Sequence, residues 1–171
     1  VDPVSGVFMR DALLNRAPSL TDLSFLHMIA HTPDMYPKLR PYSREIDELA
    51  LFVDEHRDEF MTEVPDEWAD RIAYEEFLGE AKLAWVLDSW IEEVTEDGVV
   101  EKFMVQPGDL YRLITTGRWL LYASHEIATL FGHKDLLPSL SELMERIEKG
   151  VKKELLPLTR LEAVSYTHLT L

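Results

Sequence analysis

Apolar positions recur along most of this chain at i, i+3, i+4 and i+7, the spacing of one face of an α-helix. The clearest stretch is GDLYRLITTGRWLLYASHEIATLF, residues 108–131. Advancing each residue by about 100° gathers Leu110, Leu113, Ile114, Gly117, Leu120, Leu121, Ser124, Ile127, Ala128 and Phe131 on one side, as in a core-facing helix. Trp119, the only tryptophan of the stretch, falls roughly opposite, about 20° from Arg112 on the same step. Thr115, Tyr122 and Glu126 join them. The pattern leaves two readings open. Either the helix runs through the centre of a bundle and Trp119 fills a second interface, or the indole waits for a ligand. Asp109 is the expected N-cap, after Pro107, and Gly132 the expected C-terminal stop.

The remaining pattern reads as helix after helix. Pro3 opens a first, about 3–17, with Val7, Phe8, Leu13 and Leu14 inward, and Pro18 ends it. Thr21 caps a second, about 22–31, that buries Leu23, Leu26, Met28 and Ile29. TPDMYPKLRPY, with three prolines, is a surface loop. A third helix, roughly 43–60, puts Ile46, Leu49, Phe52, Val53 and Phe60 on one side. A long one, about 67–94, presents Ile72, Phe77, Ala81, Ala84, Trp85, Leu87, Trp90 and Ile91. Trp68 at its start is placed as a staple to the surface. Asp97-Gly98 reads as a turn, followed by a short helix at about 99–104, where VVEKFMV also has the character of a strand. Ser139 or Ser141 caps a helix at about 140–151, and a last one covers about 152–160. The expected class is all-α: a single bundle of about six to seven helices with short connections.

The totals bound this picture. With 171 residues, 46% hydrophobic and four tryptophans, the chain supports one domain with a real core. It has no run of about 18 apolar residues, so no membrane span is expected. It has no cysteine, which excludes disulfides and thiolate metal sites. The opening VDPVSGVFMRDALL lacks the basic and apolar regions of a signal peptide, and the expected location is cytoplasmic. The net charge of −15 is concentrated. Residues 45–101 carry 20 acidic and 3 basic side chains, whereas the segments before and after each come to +1. The acidic segment repels a phosphate backbone and reads as a solvated surface. The segment holding Trp119 does not share this charge.

Candidate chemistry is sparse. His27 and His31 are four apart, as metal-binding histidines can be, but HMIAH lacks the Glu of a zincin and no third ligand is evident. Asp34 is only one nearby carboxylate. Carboxylate pairs between Glu45 and Glu101 are too numerous to single out an acid and a base. There is no Glu-x-x-His pair, no nucleophile elbow, no GxxxxGK[ST] and no GxGxxG. No catalytic residue and no metal site is assigned, and no cofactor is expected in this chain. The one constellation left is Trp119 with Arg112: an indole for stacking on a base and a cation for the adjacent phosphate. Thr115 and Tyr122 share that face and are the further DNA-adjacent candidates.

Four blocks in order, LSFLHMIAHTPDM (23–35), EAKLAWVLDSWIEE (80–93), QPGDLYRLITTGRWLLYASHEIA (106–128) and KKELLPLTRLE (152–162), resemble the ratchet domain of the archaeal Hjm-type, or HELQ-type, DNA helicases. These are Ski-two-like members of helicase superfamily two. The resemblance implies a parent enzyme that couples ATP hydrolysis, with Mg, to 3′-to-5′ translocation on single-stranded DNA and unwinds branched or stalled replication forks in DNA repair. It implies two RecA-like motor domains and a winged helix ahead of this chain, which are its expected partners with single-stranded DNA. It also implies that the helix matching Gly108–Phe131 is the ratchet helix. The family's strand-contacting Arg and Trp, seven apart, match Arg112 and Trp119. Residues 1–162 are the expected helical ratchet domain, a fragment inactive alone. The tail at 163–171 departs from the family, and VSYTHLTL reads as translated adapter sequence. Two rival readings remain: an all-helical protein-interaction module with Trp119 as anchor, and the equivalent domain of an RNA helicase, since stacking does not distinguish sugars.

Overall fold

The computed structural model describes residues 1–161, and the tail at 163–171 lies outside them. Seven α-helices follow one another: α1 (Pro3–Asn15), α2 (Asp22–His31), α3 (Ile46–Glu55), α4 (Arg71–Ile91), α5 (Glu96–Phe103), α6 (Pro107–Leu130) and α7 (Leu137–Lys149). Four short 3-10 turns link or extend them, and residues 156–161 are again helical. No strand occurs among the described residues. The architecture is the all-α bundle expected from the periodicity.

The layout follows from which helix is apolar all round. Residues 23–30 of α2 are buried without a break, Ser24 and His27 included. A helix enclosed on every side is the centre of its bundle. Helices α1, α4, α6 and α7 pack around α2, with α3 and α5 against α4. The central helix is therefore α2, and α6 keeps one side to itself.

Several expectations are corrected. Val7 and Leu14 of α1 and Ile72 of α4 point outward, because the buried stripe of α1 is Ser5, Met9, Ala12 and Leu13, and Ile72 stands in the first turn of α4 before the core begins. Phe131 is exposed since α6 ends at Leu130 and Phe131 is already its cap. Trp68 is 87% exposed and staples nothing; it precedes α4, which starts at Arg71 with Asp70 as N-cap. Asp97-Gly98 is no turn but the first turn of α5, whose cap is Thr95, and VVEKFMV is helical up to Phe103. Asp109 is the third residue of α6: Gln106 caps it, Pro107 fits the first position, which needs no N–H donor, and Asp109 completes a capping box. Pro138 likewise stands in the first turn of α7, so neither Ser139 nor Ser141 is its cap. The span 43–60 breaks into a 3-10 turn, α3 and a second 3-10 turn.

The tryptophans of α4 are structural, as expected. Trp85 stacks on Phe52 at 4.4 Å and meets Phe103 edge-on at 5.4 Å. Trp90 donates from Nε1 to the Ile147 carbonyl at 2.8 Å, satisfying an acceptor near the end of α7. Buried charges are paired. Lys82 reaches Glu45 at 2.9 Å, and Arg146 binds Asp22 at 2.6 Å and Glu92 at 3.0 Å, tying α7 to α2 and to the end of α4. Burial pushes the nearby Asp88 carboxyl up to about 6; Glu92 and Asp22 add to this, against Arg146 and His56.

Two outcomes follow. A carboxyl raised in the fold stabilises below its ordinary value of 3.8 and loses that contribution as pH rises through about 6. Asp88→Asn should therefore stabilise by about 1–3 kcal/mol above pH 7 and bring no gain below pH 4, measured by urea unfolding across pH. At Gly79 a Cβ would stand 2.6 Å from the Leu39 carbonyl oxygen, which is backbone and cannot swing aside. Gly79→Ala should cost about 1–3 kcal/mol in the same measurement.

Candidate nucleic-acid interface

Helix α6 has 24 residues and so runs about 36 Å. Its inner side is buried at Leu110, Leu113, Gly117, Leu120, Leu121, Ser124 and Ala128, while Ile114 and Ile127 are half-buried at its margins. A methyl built on Gly117 would lie 3.5 Å from Ile29 and Leu87 and 3.9 Å from the Met35 methyl. Helices α2 and α4 and the loop after α2 thus converge beneath α6 at that point. Trp119, two residues on, is 46% exposed on the opposite side. Thr115 and Tyr122 are exposed there too. The indole therefore fills no second helix interface.

Arg112 is more committed than its position on the wheel suggests. It is half-buried, and Nη2 donates to the Pro37 carbonyl at 3.0 Å. Nη1 is buried with no partner. The guanidinium is thus a strut between α6 and the loop of residues 32–42, with one donor left over. That loop is pinned at successive residues. Asp34 accepts from the Asp2 amide at 2.9 Å, and Met35 is fully buried. Lys38 donates to the carbonyls of Ala30 and Thr32, the latter at 2.9 Å. Burial pushes the Lys38 ammonium down from its ordinary value, against the pull of Glu80 and Glu76.

The two flanks of α6 differ in charge. Towards α7, Tyr122 borders a shallow cleft with Arg118, Glu126, Glu145 and Glu148, and Arg118 is taken up by Glu148 at 3.2 Å. That shoulder is acidic and unsuited to phosphate. Towards the loop Arg112 reaches Pro37, while Lys38 and Arg40 of that loop border a cleft that also holds Glu75, Glu76 and Glu80 of α4. Arg112 therefore faces the loop and Tyr122 the acidic flank, with Trp119 and Thr115 between them on the helix.

The histidine pair has a different outcome from a metal site. His27 is fully buried between Phe60 and Phe77, at ring distances of 4.8 and 4.7 Å, and burial pushes its pKa down, against the pull of Glu80. The Glu80 carboxylate from α4, which sequence reasoning did not bring here, sits 2.8 Å from His31 Nδ1 and 3.4 Å from His27 Nε2. Burial alone would raise Glu80, but the two histidines outweigh it and hold the carboxyl at about 2. Among the described residues no group of three or more His, Asp or Glu is arranged to hold a metal ion. No helix among them is long and apolar enough to cross a membrane.

Sequence reasoning also missed the loop as part of this surface. The one available signal was Met35, an apolar residue amid prolines and polar groups, which needs a core to enter. Arg112→Ala should free the segment around Pro37 while leaving the helices in place. The expected result is faster amide hydrogen exchange across residues 34–40 and unchanged exchange in α2 and α4.

Residues 23–150 match the family model described as archaeal helicase, domain 4. The ATP-dependent DNA helicase Hel308 of Pyrococcus horikoshii is 37% identical over 168 residues, which cover 96% of this chain and 22% of that protein. The protein of the same name from Methanocella arvoryzae is 33% identical over 169 residues, again 96% of this chain and 22% of the relative. The one from Thermococcus kodakarensis is 33% identical over 164 residues, 94% of this chain and 14% of the relative. The chain thus spans about a fifth, or less, of the length of these curated relatives. With three quarters of its residues inside that family model, the chain belongs to the archaeal helicase domain 4 family, as a domain of the Hel308 type.

Proposed function

We propose that this chain is the strand-gripping ratchet domain, residues 1–162, of an ATP-dependent 3′-to-5′ DNA helicase that acts on branched or stalled forks. The observation that carries the proposal is the Trp119 indole, nearly half exposed on the face of α6 turned away from the core. An aromatic ring held on a rigid helix gives a base a flat partner, and such stacking contributes about 1–3 kcal/mol per base. The names of the relatives supply the reaction class, and the short share of them that this chain covers supplies the division of labour. Motor domains elsewhere in the longer protein hydrolyse ATP with Mg. Neither glycine-rich phosphate motif occurs in this chain.

The division of labour sets the mechanism. A motor that advances the strand must keep it from slipping back while the motor resets. Trp119 stacked on a base adds a barrier to that slip, and the Arg112 charge holds the neighbouring phosphate close to α6. The acidic surface of residues 45–101 repels the backbone elsewhere, so the strand is confined to the α6 face and few phosphates are neutralised.

Trp119→Ala should weaken binding of a short oligo(dT) by about 5- to 150-fold. Its melting temperature should stay close to that of the parent chain, because an exposed side chain contributes little to the core. Fluorescence anisotropy and a thermal scan on the same samples check both halves. Tight binding by the variant, or a large drop in melting temperature, would sink the proposal.

A further inference from the structure

We infer that Tyr36 is a second stacking residue of the same strand path, on the loop wall beside α6. The inference rests on the strand-gripping reading of Trp119. Tyr36 stands between two immobilised neighbours. Met35 is fully buried, packed near Gly117 with Ile29 and Leu87, and the Pro37 carbonyl is held by Arg112. Lys38, one residue further, is anchored on the carboxyl end of α2. The backbone on both sides is therefore fixed, yet the Tyr36 side chain is 77% exposed. The anchors hold the backbone on both sides, and the ring stands in solvent.

Its place is set by those same anchors. The Pro37 carbonyl touches Arg112, the residue that shares the outward face with Trp119. Seven residues separate Arg112 from Trp119, or about 10 Å along the helix, a span that several stacked nucleotides cover. Residue 36 is the chain neighbour of the Pro37 carbonyl that Arg112 holds, so a strand with a phosphate near Arg112 would come close to it. Within the loop itself, residues 33–44 carry Lys38, Arg40 and Arg44 against Asp34, although Glu75, Glu76 and Glu80 of α4 line the cleft that Lys38 and Arg40 border. A phenol ring offers a base the same π-face as an indole, over a smaller area.

The test uses the whole chain and a 5-iodouracil-substituted oligo(dT) of about 12 nucleotides, within the range of such sites. Four forms are compared by anisotropy: the parent chain, Tyr36→Ala, Tyr36→Phe and Trp119→Ala. Tyr36→Ala should bind at least about 5-fold more weakly, Tyr36→Phe should bind like the parent, and ultraviolet cross-linking should label residue 36. The melting temperatures of both Tyr36 variants should match the parent's. Weakened binding by Trp119→Ala with unchanged binding by Tyr36→Ala and no label at residue 36 overturns this inference alone, and assigns Tyr36 to contact with another part of the longer protein. Unchanged binding by Trp119→Ala, or no binding by the parent chain, overturns the strand-gripping reading and this inference with it.

Discussion

The complete enclosure of α2 is the constraint on which the rest depends. Its apolar residues drive that burial, but burial also removes water from every polar group on the helix, and an unsatisfied buried group costs about 1–3 kcal/mol. The helix end is the acute case, because its last carbonyls have no partners within the helix and carry the negative end of the dipole. Lys38 supplies the missing donor at Ala30 and Thr32. To bring it there, the chain must turn back on itself after His31. That turn buries Met35 and delivers Pro37 to Arg112. A requirement of the core thus shapes the surface beside α6. The groups that satisfy α2 and those that border the proposed strand path lie within a few residues of one another.

Glu80 extends the same logic to the side of α2. A carboxylate almost removed from water is costly unless paired, and here His31 and His27 hold it ionised. Two histidines of α2 at metal-ligand spacing are thereby used to accept a carboxylate of α4 against the central helix. The pairing also explains why Lys38 can be buried nearby, since Glu80 and Glu76 offset part of its desolvation. Core helix, carboxylate and capping lysine form one electrostatic unit, with the loop as its outer edge.

The helical class, the order of the helices and the angle of the Trp119 indole were legible in the sequence, because each depends on periodicity within a single segment. That no other helix covers that face was not, and needed the structure. Nor was the reach of α4: Ile72 has the right spacing, yet the core begins only at Tyr74. Val7 and Leu14 fail for a related reason, since α1 turns Ser5 and Met9 inward, and Ser124 donates towards the Met9 sulfur at 3.1 Å. Arg112 shows the deeper limit. Its angle on the helix was right, but its bond to Pro37 joins positions 75 apart and leaves no trace in local pattern. The same holds for Glu80 with His31, separated by 49.

Helix α6 joins these two levels. Its inner side meets α2, α4 and the loop at Gly117, and its outer side carries Trp119 two residues later. A stacking residue resists back-slip only as far as its own support resists movement, because a compliant support would follow the strand. Beneath this indole Leu113, Leu120 and Leu121 are fully buried against the central helix and its neighbours. On the reading proposed above, force applied to a base on Trp119 would be met by the whole bundle and not by one flexible side chain, so that the buried leucines of α6 would belong to the grip as much as the exposed tryptophan.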